Sequence, residues 1–381
     1  MVIMNMPTYR DEPFKWYEFM RQNHPVFRYG NSVHVFKYND ILNVLSNHRV
    51  FSSQFRDLLD ENLSGILNEK IAPSILILDP PKHTELRNLI NYAFVPKTID
   101  NYENRIRQIA DDLIINMLTE KNVDIVAKLS YPLPVMVISE ILGIPDNDMP
   151  LFKIWSDRLA SSLGRGPDIK TQYEIADYFY GLIRKPDKLK GLLKDLCTVE
   201  IDGRKLTDQE IVSFAILLLV AGNETTTNLI TNTILTISEN KKYFYEMQND
   251  ASLIPAVIEE TLRYRSPVQS TRRYAREDTE ISGTEVLKND IVFLYLGSAN
   301  RDEDIYKEPD LFDPKRNNKR HMAFGHGIHF CIGAPLARLE AVVVLKEFSK
   351  FIKDFTVEKP SGDDRIDSDI MYGFKKLIIN L

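Results

Sequence analysis

The sequence has little of what marks a secreted, membrane-spanning or nucleic-acid-binding chain. Its 381 residues contain two cysteines, Cys197 and Cys331. That is too few for a disulfide framework, so a reducing compartment is the default. No zinc-type spacing of cysteine and histidine accompanies them. The longest apolar run, Ile211 to Ala221, is broken by Ser213 and leads into Gly222-Asn223-Glu224, too short to span a bilayer. Met1 to Pro13 lacks the apolar centre of a signal peptide. A formal charge of −6 gives the phosphate backbone no basic excess to bind, which argues against nucleic acid as a partner. A cytoplasmic chain without a membrane anchor is expected. No Gly/Ser linker, charge block or repeat divides it, so a single domain over 1–381 is expected although length alone suggests two or three. A hydrophobic share of 44% and a charged share of 27% are ordinary for a globular protein, and the chain is long enough to bury a cofactor.

What is present has two textures. A small β region is predicted near 25–37, where Pro25 to Tyr29 and Val33 to Phe36 flank Gly30-Asn31-Ser32. Its partner is expected near 272–296, with Ile281, the turn Ser282-Gly283-Thr284 and the run Ile291 to Leu296; Leu377 to Ile379 at the C-terminus adds a further strand. The rest reads as helix. Ile99, Tyr102, Ile106, Ile109, Leu113 and Met117 keep a helical period over 98–118, and 133–142, 150–163 and 171–184 behave alike. Thr207-Asp208-Gln209-Glu210 is a capping box; it opens a helix running to about Ser238, long enough to cross the whole molecule. Further helices are expected over Ile254 to Tyr264 and just after Cys331. The fold class is mainly α with a small β region.

The strongest chemical signal is Phe324-Gly325-His326-Gly327-Ile328-His329-Phe330-Cys331-Ile332-Gly333-Ala334-Pro335. Glycines let backbone approach a ligand closely, and Pro335 suits the first turn of a helix. Free amides at a helix N-terminus lower a thiol pKa, so Cys331 is expected to favour the thiolate, as a nucleophile or a soft metal ligand. A nucleophile would need a nearby base, for which His326 and His329 are candidates; an inert buried cysteine is the bland alternative. The pattern Phe-x-x-Gly-x-(Arg/His)-x-Cys-x-Gly is complete here, and should arise by chance less than roughly once in a million start positions.

A second signal is Ala221-Gly222-Asn223-Glu224-Thr225-Thr226-Thr227, a poor helix by propensity inside a long one. Such local defects persist where function needs them. Ala221 and Gly222 leave room for a flat ring and a diatomic ligand, Glu224 and Thr225 offer a proton chain, and Asn223 is placed to touch oxygen or substrate. A surface helix with solvent-facing polar residues is the alternative.

The cysteine loop resembles the haem-binding signature of the cytochrome P450 family, and the helix resembles that family's Ala-Gly-x-(Asp/Glu)-Thr-(Thr/Ser) motif. The resemblance covers nearly the whole chain, from about residue 10. It implies haem b (iron protoporphyrin IX) between the long helix and the cysteine loop of a triangular prism, with Cys331 as the iron ligand. Phe324, Gly325 and Gly333 belong to the cradle, and His329 contacts a haem propionate. Glu224 and Thr225 relay protons to dioxygen at the haem. By the same resemblance His83 and Arg87, four apart after Pro80-Pro81, grip propionates together with Arg273, whose neighbour Arg272 leaves a slip of one residue open. Glu260, Arg263 and Arg316 form a structural Glu-x-x-Arg network.

By family position, residues 55–76, 155–170, 217–221 and 266–270 line a substrate pocket, including Phe55, Leu67, Ile75, Leu76, Leu159, Leu217, Val220, Val268 and Gln269. The implied activity is that of a monooxygenase inserting one atom of O2 into a small hydrophobic substrate, with electrons from a ferredoxin- or flavodoxin-like donor. The basic cluster Lys315, Arg316, Lys319 and Arg320 is a candidate docking site for an acidic donor or else a solvated loop, and Cys197 reads as a packed helix residue. A peroxide-driven oxidase is a second reading; a haem-based sensor or ligand-binding protein is a third, from another class.

Overall fold

The computed structural model describes residues 12–54, 70–93, 102–162, 168–317 and 320–381. Its axis is the helix Asp208–Glu239, 32 residues long, hence about 48 Å at 1.5 Å per residue. The capping box opens it: Glu210 N–H donates to Thr207 Oγ1 at 3.2 Å and Thr207 N–H to Glu210 Oε2 at 2.9 Å. From Ile211 to Ile237 nearly every position is buried. The helices Pro132–Leu142, Ile169–Ile183, Ile254–Tyr264 and Ala334–Phe351 pack around it, which explains a sequence apolar on most sides rather than along one stripe. The main core cluster draws on residues from Ile71 to Ile379. No helix among the described residues is long and apolar enough to cross a membrane.

The helical expectations hold with small shifts. The 98–118 period corresponds to Glu103–Met117, residues 98–101 lying outside the described residues. Pro132–Leu142, Met149–Ser162 and Ile169–Ile183 replace 133–142, 150–163 and 171–184. The last of these starts early because Asp168 caps it, accepting from Thr171 N–H at 3.0 Å.

The β regions differ more. Val26–Tyr29 and Ser32–Val35 form the hairpin, and Ser32 belongs to the strand, paired with Tyr29, so the turn is Gly30-Asn31. Gly30 has φ +58°, open to glycine at no steric cost. The five-stranded sheet continues through Ile291–Leu294 and Thr271–Ala275 to Phe51–Ser52. The run to Leu296 is cut short. Gly297 N–H bonds the Gln269 carbonyl at 3.0 Å, and the chain turns into the short helix Leu296–Ala299. Thr279–Ile281 and Thr284–Val286 pair only with each other. The C-terminal strand Ile378–Asn380 does not join the N-terminal sheet; it lies between Thr356–Val357 and Asn122–Asp124. Two-residue strands such as Phe51–Ser52 and Thr356–Val357 carry no period to read in sequence.

One ion network fixes the segment that leads to the cysteine. The Glu260 carboxylate accepts from Arg263 at 2.7 and 2.9 Å, from Arg316 Nε at 2.9 and 3.0 Å, and from Asp313 N–H at 2.9 Å. Arg263 also donates to the carbonyls of Asn300, Pro309 and Leu311, and Arg316 to those of Lys307 and Leu311. Removing one partner of a buried pair leaves the other charge uncompensated. Glu260→Ala is therefore expected to destabilise the protein by about 3–5 kcal/mol, read as a lowered Tm, whereas Lys315→Ala, removing an exposed pair with Glu246, should change stability by less than about 1 kcal/mol.

Candidate active site

Cys331 sits where a glycine-rich loop meets the helix Ala334–Phe351. Gly325 and Gly327 have φ of +71° and +73°, conformations that L-residues rarely adopt. A Cβ on Gly327 would strike the Leu45 carbonyl oxygen, so the loop lies directly on the Tyr38–Ser46 helix. Cys331 N–H bonds the Phe324 carbonyl at 3.0 Å, and Ala334 N–H the Cys331 carbonyl at 3.4 Å. The Gly333 and Ala334 amides also act on the sulfur. Their influence does not win as the sequence suggests: burial pushes the Cys331 thiol up, and the two amides, Arg87 and Arg338 only partly offset it. Coordination to a metal deprotonates a thiol outright, so a metal rather than the helix start would supply a thiolate here. No histidine among the described residues bonds Cys331, and His326 is exposed, so the nucleophile reading lacks its base.

Beside the loop the fold gathers cations. The His83 and His329 rings lie 4.3 Å apart between centroids, and both His83 nitrogens and His329 Nε2 are buried without a hydrogen-bond partner. Arg87 donates to the Ile328 carbonyl at 3.4 Å and the Phe330 carbonyl at 2.5 Å. Arg273 is buried where its strand neighbour Arg272 is exposed, which removes the one-residue slip, and it donates to the Arg272 carbonyl at 2.8 Å. The adjacent carboxylate, Asp79, is engaged by Ser52, Ser53 N–H and Arg276. Burial, Arg273 and His83 drive His329 down to about 3; burial and Arg87 lower His83; burial takes Arg273 down to about 10 against the pull of Asp79. Two guanidinium groups and unpartnered imidazole nitrogens in one recess call for anionic acceptors from outside the chain. A thiol beside them fits a group carrying both a thiolate-binding metal and carboxylates, as haem does.

The central helix presents its less buried positions, Leu217, Val220, Ala221, Glu224 and Thr225, at helical spacing. Ala221 is exposed. Gly222 makes no room for a ring: a Cβ there would come within 2.8 Å of Ile138 Cδ1, so this glycine serves the packing of Pro132–Leu142. Asn223 is likewise turned inward, donating to Ser156 and accepting from Thr227, not toward oxygen or substrate. Thr225 Oγ1 donates to the Ala221 carbonyl at 2.6 Å. Burial pushes the Glu224 carboxyl up, partly offset by the Asn228 amide.

The pocket expectations divide. Leu76 is 54% exposed, and Leu217, Val220 and Val268 are half-buried. Ile75 and Leu159 are buried in the core cluster. Gln269 is fully buried, its Nε2 donating to the Ser266 carbonyl at 2.6 Å, so Ile75, Leu159 and Gln269 pack rather than line. Phe55 and Leu67 lie outside the described residues. Of the basic cluster, Lys315 pairs with Glu246 and Arg316 with Glu260, Arg320 is exposed and Lys319 lies outside the described residues. Cys197 is half-buried against the core. Sequence reasoning missed Glu259, which accepts from Arg338 at 2.6 and 3.0 Å and lies 3.1 Å from His321 Nε2. Against the burial that would raise it, His321 and Arg338 hold Glu259 at about 2. Arg338 lies 4.5 Å from the Phe324 ring centroid, bracing the loop from outside. Its one signal in sequence was a second acid beside Glu260.

Residues 182–378 match the family described as Cytochrome P450. Cytochrome P450 109 of Bacillus spizizenii is 38% identical, over 97% of this chain and 92% of the relative. Cyclomarin C epoxidase CymV of Salinispora arenicola is 37% identical, over 87% of this chain and 86% of its own. The crystal structure of CYP109E1 from Bacillus megaterium in complex with testosterone is 39% identical with TM-score 0.87, covering 97% of this chain and 99% of that one. With the thiol and cation set described above, these matches place the chain in the cytochrome P450 family, oxidoreductases that bind haem b.

Proposed function

We propose that this chain is a single-domain cytoplasmic monooxygenase that places one atom of O2 into a small hydrophobic substrate, with electrons from a separate ferredoxin- or flavodoxin-like donor. The observation that carries the reading is the gathering of two guanidinium groups, Arg87 and Arg273, with the unpartnered imidazoles His83 and His329 next to the Cys331 thiol. In this reading Cys331 holds the iron, the two arginines and two imidazoles hold the propionates, and Phe324, Gly325 and Gly333 shape the cradle. Thiolate-ligated haem supplies the electron density that favours O–O cleavage.

The remaining steps belong to side chains. Ala221 leaves space on the helix face. Glu224, its carboxyl raised by burial, holds a proton nearer to neutral pH than an exposed carboxyl would. Thr225 Oγ1 passes that proton toward the oxygen. Leu76, Leu217, Val220 and Val268 offer an apolar wall. A relative that takes testosterone and one that is an epoxidase support a hydrophobic substrate and the addition of a single oxygen atom. Glu260, Arg263 and Arg316 keep the proximal segment in place.

Cys331→Ser is expected to abolish the thiolate-type spectrum of the reduced CO complex; survival of that spectrum would remove the ligand assignment. Thr225→Ala is expected to retain haem while diverting electrons to peroxide, with substrate turnover per electron pair falling on the order of 10-fold. Measuring peroxide against product decides it. Arg273→Met should have opposite effects on the two forms of the protein. Haem transfer to an acceptor apoprotein should be roughly 10-fold faster, while the haem-free protein gains on the order of 1 kcal/mol because a buried cation is gone.

A further inference from the structure

The central helix carries a buried amide that neither packing nor secondary structure explains. Asn228 is 1% exposed, and neither its Nδ2 nor its Oδ1 makes a geometrically formed hydrogen bond. One turn further on, Asn232 shows what a structural asparagine does here: its Nδ2 donates to the carbonyls of Arg265 at 3.1 Å and Tyr372 at 3.2 Å. One turn earlier lies Glu224, on the same helix face.

The space around Asn228 is made by Gly373. A Cβ on Gly373 would collide with the Asn228 side chain, coming within 2.9 Å even of its Cβ. Gly373 is not among the residues of positive φ, so its backbone conformation does not require glycine; the room for the amide does. A buried, unpaired amide is unfavourable on its own, and a glycine kept to admit it adds backbone entropy to the unfolded chain. Both features are accounted for if the amide serves the carboxyl beside it.

We propose that Asn228 is a positioning residue for Glu224. Its amide donates to the carboxyl one helical turn before it and fixes the rotamer from which Glu224 exchanges its proton, in a space that Gly373 keeps open. The inference rests on the reading of Glu224 as the acid of the oxygen site. The direction of the amide's effect agrees with it: among the described residues, burial and the Asn228 amide are the only influences on that carboxyl, and the amide opposes the burial. No charged group acts on Glu224 from the elements packed against the central helix.

The test uses the haem-loaded enzyme. Asn228→Leu keeps the branching at Cγ and removes the donor; Asn228→Ser keeps a donor. With an intact CO spectrum as the check on folding, Asn228→Leu should move the alkaline limb of the kcat–pH profile upward by on the order of one unit. It should also lower product per electron pair several-fold, with Asn228→Ser recovering part of both. An infrared titration of the Glu224 carboxyl, identified by its loss in Glu224→Gln, should rise in parallel. Independently of activity, Gly373→Ala should lower Tm by about 3 °C alone and by clearly less in an Asn228→Ala background. A Leu variant with the wild-type limb and carboxyl titration, or strict additivity of Gly373→Ala with Asn228→Ala, overturns the proposal. If Glu224→Gln itself leaves the limb in place, the acid assignment fails instead, so the two failures are distinguishable.

Discussion

Two guanidinium groups, Arg87 and Arg273, and two imidazoles that burial keeps from charging, His83 and His329, are brought together at a place where the described residues supply no free carboxylate. Asp79, the adjacent anion, is already engaged by Ser52, Ser53 and Arg276, and it only moderates the downward pKa shifts of His329 and Arg273. Holding two guanidinium groups beside imidazoles whose charged form is disfavoured is unfavourable without an anion. A ligand that supplies the anion and binds only the folded form stabilises it by mass action. The strength of the surrounding networks is consistent with the proposed dianionic occupant. Glu260 with its two arginines, and Glu259 with Arg338 and His321, are ion networks in which nearly every donor is used. They hold the loop that presents Cys331.

The central helix shows the same division between structure and chemistry inside one element. Its polar residues at 223–233 look alike in sequence. In the fold Asn223 is tied to Ser156, and Thr231 and Thr233 fold back on carbonyls four residues before them. This back-bonding satisfies hydroxyls within the buried helix itself. Thr225 makes the same bond to Ala221, but on the less buried face, where the hydroxyl is free to exchange that bond for another. Position around the helix, rather than residue type, separates Thr225, the threonine proposed as catalytic, from the structural ones.

This bears on what the sequence made legible. Helices were readable because their period and caps are local: the box at Thr207 involves residues three apart, whereas the cap at Asp168, not singled out in the sequence, moved one helix start by two residues. The hairpin at 26–35 was equally local. The sheet order was not, since Ser32–Val35 pairs with Ile291–Leu294 across more than half the chain, and the partner of Ile378–Asn380 at 122–124 has no strand-like composition. At the candidate site, the Glu260 network and the placement of Arg87 beside the Cys331 loop were legible because their motifs are rigid in spacing. Gly222, Asn223, Leu159 and Gln269 were misread because a motif fixes position along the chain and not the direction a side chain takes. Gly222 faces Ile138 and Gln269 faces Gly297, contacts made by residues no local pattern connects.

The thiol of Cys331 shows why the correction matters. Amides at a helix start are the usual reason to expect a thiolate, and they are present here. Burial nevertheless outweighs them, because sulfur loses more hydration than two amides and two distant guanidinium groups restore. In the proposed reading a metal would take the place of the thiol proton, so that binding of the group and loss of that proton would be linked. The Gly325 and Gly327 turns, with the loop laid against the Leu45 carbonyl, fix where the sulfur stands.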